Sequence, residues 1–228
     1  MIEPQLEDID IEEMKTQHEV KVLNNNKDIV NQAVNTDYEN NGLVLTRGHL
    51  FPCSYAPDDE SKRSTFTLTN IVPQDSSFNG GSWNRMELNV RTTLVKNCKN
   101  NNQIEAYLVT GAVPNDNNDN NNNKRVNIPD LLWTAFCCKN NLGQWEAGAY
   151  WGENIKDNGK ILNLKTLGAL EVMLKKSYNV DVKVFHDKCP RNVNVQQVES
   201  VEEEPGKKRV GSGDGNGEGS NKKAKTSN

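Results

Sequence analysis

The sequence has no long hydrophobic run and no export signal of the usual kind. Residues 1–19 contain seven acidic residues and lack both the basic start and the apolar core of a secretory signal peptide. Elsewhere, no apolar stretch approaches the length needed to span a bilayer. We therefore expect no transmembrane helix, and these residues by themselves offer no route into the secretory pathway.

The chain also lacks an excess of positive charge, since 27 Lys and Arg residues stand against 31 Asp and Glu residues. The imbalance is local. Residues 40–192 contain 18 basic and 15 acidic residues, whereas residues 1–39 contain 3 basic and 10 acidic residues. The central region is therefore mildly basic. This is little positive charge for binding phosphate groups unless a bound divalent cation adds more.

The five cysteines contain no CxxC pair, and no histidine stands at a zinc-finger spacing from them. This pattern argues against a structural zinc site. Two disulfides with one remaining thiol would fit an oxidising compartment, whereas reduced, buried cysteines would fit a cytosolic protein. The cysteine residues are Cys53, Cys98, Cys137, Cys138 and Cys189.

A candidate functional segment is Arg47-Gly48-His49. Arg47 and His49 alternate along an extended segment, so we expect both side chains on one face, while Gly48 lets the backbone pass a close neighbour. A lone histidine of this kind is more often a surface or structural residue than a catalytic one. The segment therefore needs support from other motifs.

Two such motifs follow. In residues 64–72 three threonines at 65, 67 and 69 alternate with Phe66, Leu68 and Asn70, which predicts a strand ended by Pro73. A Gly-rich turn from Asn79 then opens into a helix whose core face carries Trp83, Met86, Val90 and Leu94. Glu87 and Arg91 are four residues apart and share a helix face, for which a solvated ion pair is the ordinary interpretation.

The remaining pattern predicts further strands at 104–113, 131–138 and 146–151, a helix over 164–176 and a last short strand at 180–185. The Asn-rich run 115–123 predicts a disordered loop. We predict an acidic N-terminal segment at 1–37, one domain at 38–190 and a disordered charged tail at 191–228. In that tail, Lys207-Lys208-Arg209 and the last lysines resemble a split nuclear-localisation signal, although a solubilising tail is the simpler interpretation.

Taken in order, Arg47-Gly48-His49, the run from Asn70 to Gln74, and Asn79-x-Gly81-x-Trp83-x-x-x-Glu87 resemble the DNA/RNA non-specific endonucleases, which are ββα-metal or His-Me finger nucleases. The runs 107–114, 125–129 and 133–138 are similar to the endonuclease domain-containing 1-like branch. The resemblance spans roughly residues 38–186. It implies an α+β fold with a mixed or antiparallel sheet, a ββα-metal core and flanking helices, and it implies secretion, which favours disulfides.

The resemblance also implies hydrolysis of DNA and RNA without sequence preference, with Mg²⁺ or Mn²⁺ as the cofactor. His49 would be the general base, Asn79 the single protein ligand of the metal, and Arg47 the partner of a phosphate oxygen. Glu87 would hold the metal's water ligands. The supporting residues would be Asn70, Gln74 and Arg91.

The sequence departs from the family pattern in two ways. Thr46 stands where aspartate is common, and a family segment that normally precedes the domain has no match here. We expect slower turnover from the Thr46 departure, and the missing segment suggests a truncated product or an incomplete gene model. The alternative is a nuclease-like nucleic-acid-binding or regulatory protein, and a weaker one is a disulfide-linked extracellular module. The compartment is expected to be extracellular, with nucleus or cytoplasm as the alternative.

Overall fold

The computed structural model describes residues 1–38, 44–100, 103–116 and 125–192. The α-helices are α1 (Gln17–Leu23), α2 (Asp59–Ser64), α3 (Ser76–Phe78), α4 (Asn84–Asn97) and α5 (Leu167–Tyr178). A π-helical turn, Asn79–Trp83, joins α3 to α4. Short 3-10 helices lie at Pro4–Glu7, Asn35–Tyr38, Cys53–Tyr55 and Leu68–Asn70.

The strands are β1 (Leu45–His49), β2 (Ile71–Asp75), β3 (Lys99–Asn100), β4 (Gln103–Ile104), β5 (Ala106–Val113), β6 (Leu131–Lys139) and β7 (Trp145–Glu153). β1 pairs with β2 in an antiparallel ribbon, and β5, β6 and β7 form a three-stranded antiparallel sheet with β6 in the middle. The fold is therefore α+β, as the resemblance implies. None of the helices in these described ranges is long and apolar enough to cross a bilayer.

β6 is buried on both faces because it lies between two helical layers. Its even-numbered residues, such as Phe136, pack against the apolar face of α4, whose buried residues include Met86. Its odd-numbered residues, such as Ala135, pack against α5 at Leu170. A third cluster joins the first 38 residues to the ribbon, and it consists of Ile2, Val20, Ile29, Val34, Tyr38, Leu68 and Ile71.

Two disulfides extend from neighbouring positions on β6. Cys138 is bonded to Cys98 at the end of α4, and Cys137 is bonded to Cys189 beyond α5. Successive side chains on a strand point to opposite faces, so each bridge ties one helical layer to the sheet. Cys53 is the free thiol. The expected count of two disulfides and one thiol is confirmed.

We expect reduction of both disulfides to lower the stability of the protein strongly. The bridges close loops with sequence separations of 40 and 52 residues, and loops of this size are worth about 4 kcal/mol each in the chain-entropy account. Thermal unfolding with and without dithiothreitol measures the effect as a fall in Tm. An unchanged Tm under fully reducing conditions, with thiol content confirmed by titration, would contradict this expectation.

The structure confirms the predicted helices α4 and α5 and the strands β5, β6 and β7, but the predicted strand at 64–72 is wrong. Hydroxyl groups compete with strand pairing there: Thr65 Oγ1 donates to Lys62 O at 2.7 Å, and Thr67 Oγ1 donates to Ser64 O at 2.8 Å. The chain consequently turns through α2 and a 3-10 helix before β2 begins. Pro73 lies inside β2 instead of ending a strand.

The predicted strand at 180–185 is also wrong. Val184 N donates to Glu171 Oε1 at 3.0 Å, so a side chain on α5 takes the place of a neighbouring strand. The Asn-rich run lies largely outside the described residues, as does the tail from 193 onward. The predicted domain boundaries stay predictions.

Candidate active site

The ribbon of β1 and β2 and the helix α4 form the frame of the site. In the ribbon Thr46 pairs with Gln74, and His49 pairs with Ile71. Thr46 and Gly48 face one side and Arg47 and His49 face the other, as alternation along a strand requires. His49 is the last residue of β1, and the chain bends immediately after it.

The Asn79 carboxamide is attached to β1 through Thr46. Asn79 Nδ2 donates to Thr46 Oγ1 at 3.0 Å, and Thr46 Oγ1 donates in turn to Gln74 O at 3.3 Å. Because the amide nitrogen is held in this way, the orientation of the carboxamide is fixed. Asn79 Oδ1 accepts no hydrogen bond from the described part of the chain, so a hard oxygen ligand is left available.

The other end of the helix segment is attached to the chain just beyond His49. Tyr55 Oη donates to Glu87 O at 2.7 Å, and Arg91 Nε donates to Ser54 O at 3.2 Å. Since Asn79 meets Thr46 and Glu87 meets Tyr55, the two segments run side by side. The chain that contains His49 therefore runs beside this helical segment. The His49 imidazole lies on the opposite face of the ribbon from the Thr46 hydroxyl that Asn79 contacts.

Glu87 lies in partly buried surroundings with little compensation for its charge. Burial raises the pKa of Glu87 to about 7, and the Trp83 indole only partly opposes this effect. The Trp83 N–H falls short of good hydrogen-bond geometry. Within the described ranges Glu87 forms no ion pair with Arg91, which instead holds the Ser54 carbonyl. A carboxyl group that is costly to ionise is a common property of functional sites.

His49 has the properties of a neutral base. Its ring lies edge-to-face against Phe66 with 4.7 Å between the centroids, and burial lowers the pKa of the imidazole. His49 Nε2 is buried and has no hydrogen-bond partner among the residues described. A buried polar atom without a partner costs free energy, and such atoms are concentrated at functional positions.

Arg47 is exposed, and one of its donors is engaged. Arg47 Nη1 donates to Asn35 Oδ1 at 2.8 Å. In the described part of the chain its other donors make no protein hydrogen bond, so they are available to an anion. Its position on the opposite face of the ribbon from Thr46 means that a phosphate would have to reach the end of the ribbon to meet both Arg47 and Asn79.

Asn70 and Gln74 have structural contacts. Asn70 Oδ1 accepts from Phe51 N at 2.9 Å, and its amide donates to Phe51 O and Thr65 O. Asn70 thus fixes the chain that follows His49. Gln74 is fully buried, and a Cβ on Gly48 would lie 2.2 Å from Gln74 Cδ. Glycine at position 48 is therefore required for Gln74 to pack against β1.

The donor set fits a single hydrated divalent cation. One amide oxygen without a partner among the described residues, with a carboxylate eight residues further on in α4, suits Mg²⁺ because this ion keeps most of its water ligands. Among the described residues no cluster of three His, Cys, Asp or Glu side chains could hold a metal. A closed zinc-type or calcium-type cage is therefore not the kind of site that these residues form.

Sequence reasoning missed the loop that follows β7. Asn154 Oδ1 accepts from Asp75 N at 2.9 Å, and Asp157 Oδ2 accepts from Ser82 N at 2.8 Å. Both contacts reach the site segments from more than 70 residues away in sequence. No local signal could identify them, although Asn and Asp before a glycine are typical of a turn.

Comparisons with known proteins identify the family and the fold. A family model described as DNA/RNA non-specific endonuclease matches residues 22–193, which extends the resemblance toward the N-terminus. The human endonuclease domain-containing 1 protein is 29% identical over 149 residues, covering 65% of this chain and 28% of that protein. The mouse mitochondrial nuclease EXOG is 25% identical over 181 residues, covering 75% of this chain and 47% of that protein.

The chain therefore spans less than half the length of these two relatives. Among solved structures, the crystal structure of the EndoG/EndoGI complex contains a similar fold, with a TM-score of 0.54 and 20% sequence identity. The match covers 70% of this chain and 65% of that one. The family match spans most of the sequence and includes all three motifs, and the chain belongs to the DNA/RNA non-specific endonuclease family.

Proposed function

We propose that the chain is a divalent-metal-dependent endonuclease that hydrolyses phosphodiester bonds in both DNA and RNA without sequence preference. The observation that carries the proposal is a pair of groups on the two faces of the β1–β2 ribbon. One is an imidazole whose buried Nε2 has no hydrogen-bond partner among the described residues, and the other is a carboxamide whose nitrogen is held by Thr46. The family and fold support the same chemistry.

His49 acts as the general base. A desolvated imidazole with a lowered pKa is unprotonated at neutral pH, so Nε2 accepts a proton from the attacking water. The free donors of Arg47 bind phosphate oxygen, where a planar guanidinium is well suited. These contacts go to the nucleic-acid backbone, which is common to every sequence and to both sugars.

Asn79 Oδ1 would hold the cation, and the Glu87 carboxylate would orient the water molecules around it. When bound, Mg²⁺ or Mn²⁺ supplies charge relief at the phosphoryl oxygens and at the departing 3′ oxygen. Asn70 and Arg91 hold the surrounding backbone through the hydrogen bonds described above, and the Gln74 side chain packs against Gly48 of β1.

Digestion of supercoiled plasmid and of structured RNA, with Mg²⁺ and then with excess EDTA, tests this function. We expect both substrates to be cut with Mg²⁺ and neither to be cut after chelation. Retained DNA binding without cleavage would support the second candidate, a nuclease-like binding or regulatory protein. The observation that favours this candidate is Thr46, at the position where the family commonly has aspartate.

We expect Thr46→Asp to raise the cleavage rate by roughly tenfold at limiting Mg²⁺. A carboxylate would accept the Asn79 Nδ2 hydrogen bond with charge assistance, which is worth on the order of 1 kcal/mol more than a hydroxyl acceptor. Rates measured across a Mg²⁺ titration give the effect. Thr46→Val, which removes the acceptor, is the matched comparison and should lower the rate. A Thr46→Asp variant no faster than the parent would show that the departure is irrelevant.

The disulfides support an oxidising compartment, and an extracellular location is our proposal on that basis. A nuclear or cytoplasmic location is the alternative. Non-reducing mass spectrometry of the protein isolated from its native source separates the two, because thiols stay reduced in the cytosol and nucleus.

A further inference from the structure

The loop after β7 contacts the Asn79 segment on both sides of Asn79. Asp157 N donates to Ser77 Oγ at 2.8 Å, two residues before Asn79. Asp157 Oδ2 accepts from Ser82 N at 2.8 Å, three residues after it. One residue of a distant loop therefore contacts the backbone or side chains that flank Asn79 on each side.

The Asp157 carboxylate occupies a break in the helix. Gly81 has φ −103° and ψ −111°, which is not helical, so the regular backbone ladder is interrupted at this residue. A Cβ on Gly81 would lie 2.0 Å from Asp157 Oδ2. The carboxylate accepts the Ser82 N–H at the start of the next turn, as a capping residue does at a helix N-terminus.

The charge of Asp157 is well compensated. Its side chain is 11% exposed, and Arg85 Nη2 lies 3.2 Å from Oδ2. Burial acts to raise the pKa of Asp157, but hydrogen bonds from the Gly159 and Ser82 amides, together with Arg85, lower it overall. The group is therefore ionised at neutral pH and is held in one position.

The loop itself is anchored to the ribbon. Asn154 Nδ2 donates to Pro73 O and to Pro129 O, both at 3.0 Å. Its Oδ1 accepts from Asp75 N at the end of β2. The loop that carries Asp157 is thus attached to the same ribbon that carries His49.

We propose that Asp157 is a positioning residue for the metal site. It fixes the conformation of the Asn79–Trp83 turn and thereby the direction of Asn79 Oδ1, without itself touching the cation. This inference rests on the proposed function, in which Asn79 holds the cation. It predicts that losing Asp157 weakens metal binding and leaves metal-independent contacts to nucleic acid unchanged.

The test is Mn²⁺ binding to the full chain, measured by electron paramagnetic resonance in the absence of nucleic acid. We expect Asp157→Ala to weaken Mn²⁺ binding about tenfold, and Asp157→Asn about threefold or less, because an amide oxygen can still accept the Ser82 N–H. Asp187→Ala is the control, since Asp187 pairs with Lys183 and is 85% exposed. DNA binding measured in EDTA should be equal in all variants.

If Asp157→Ala does not fold, Ser77→Ala removes the acceptor for Asp157 N and should weaken Mn²⁺ binding in the same direction. Equal Mn²⁺ affinity in the parent and in the folded Asp157 or Ser77 variants would overturn the positioning role alone. No Mn²⁺ binding by the parent would overturn the proposed metal-dependent function, and the positioning role with it. Recovery of cleavage by Asp157→Ala at raised Mn²⁺ would support the proposal.

Discussion

Replacing His49 by alanine is expected to lower the rate of plasmid cleavage by about 10²- to 10⁴-fold, which is the usual contribution of a general base. The fold should survive, because His49 Nε2 makes no hydrogen bond within the described structure and its removal leaves no protein partner unsatisfied. The contact with Phe66 is lost, at a cost of roughly 1 kcal/mol. Cleavage assays and thermal unfolding on the same samples measure both effects.

The pH dependence gives a second readout of the same residue. Since burial lowers the pKa of His49, the imidazole stays neutral down to a lower pH than a solvent-exposed histidine would. Phe66→Ala would admit water to the ring and should move the pKa of His49 upward, measurable by NMR. His18→Ala is the matched control for His49→Ala in the cleavage assays, because His18 is exposed on α1. Full cleavage by His49→Ala, with normal metal dependence, would refute the assignment of the base.

Replacing Glu87 by glutamine is expected to make the metal-free protein more stable and the enzyme less active. Burial raises the pKa of Glu87 to about 7 from an ordinary value of 4.5. Between these two pH values the folded state binds more protons than the unfolded state, so stability falls as pH rises through the window. The neutral glutamine avoids this cost, which is about 1 to 3 kcal/mol above pH 7 after allowance for partial exposure.

Thermal unfolding in EDTA at pH 4 and at pH 8 tests this expectation. The Glu87→Gln variant should match the parent at pH 4 and exceed its Tm by roughly 2 to 10 °C at pH 8. Cleavage should fall about 10- to 100-fold, as expected for a residue that orients the water ligands of a metal. Glu153→Gln, at the exposed end of β7, is the matched control. A variant that is both less stable at pH 8 and fully active would contradict the role of Glu87.

The parts of the fold that could be predicted are those whose signal is local. The helical spacing of Trp83, Met86, Val90 and Leu94 specifies the buried face of α4, and the β-rich runs specify β5 to β7. Residues 64–72 have the same kind of alternation, but Thr65 and Thr67 form turns with nearby carbonyl groups. The periodicity of the sequence does not reveal this competition between hydroxyl hydrogen bonds and strand pairing.

The residues of the candidate site also divide into those with a local sequence signal and those without one. Three spaced motifs were sufficient to nominate His49, Asn79 and Glu87, whereas the interactions that orient them depend on tertiary contacts. A hydroxyl at position 46 can accept a hydrogen bond, and the Thr46 hydroxyl is the group that holds the Asn79 amide. Asp157 is 78 residues from Asn79, so its part in the turn appears only when β7 is placed beside α4.

The two adjacent cysteines of β6 make strand register a condition for correct oxidation. A slip of one residue would turn Cys137 toward Cys98 and Cys138 toward Cys189, because neighbouring side chains exchange faces when register shifts. The swapped isomer would use the same four sulfur atoms and join the same three segments. Pairing of β6 with β5 and β7 before thiol oxidation therefore favours the native bridges, and an oxidant added before the sheet assembles should give a mixture of isomers that includes the exchanged pair.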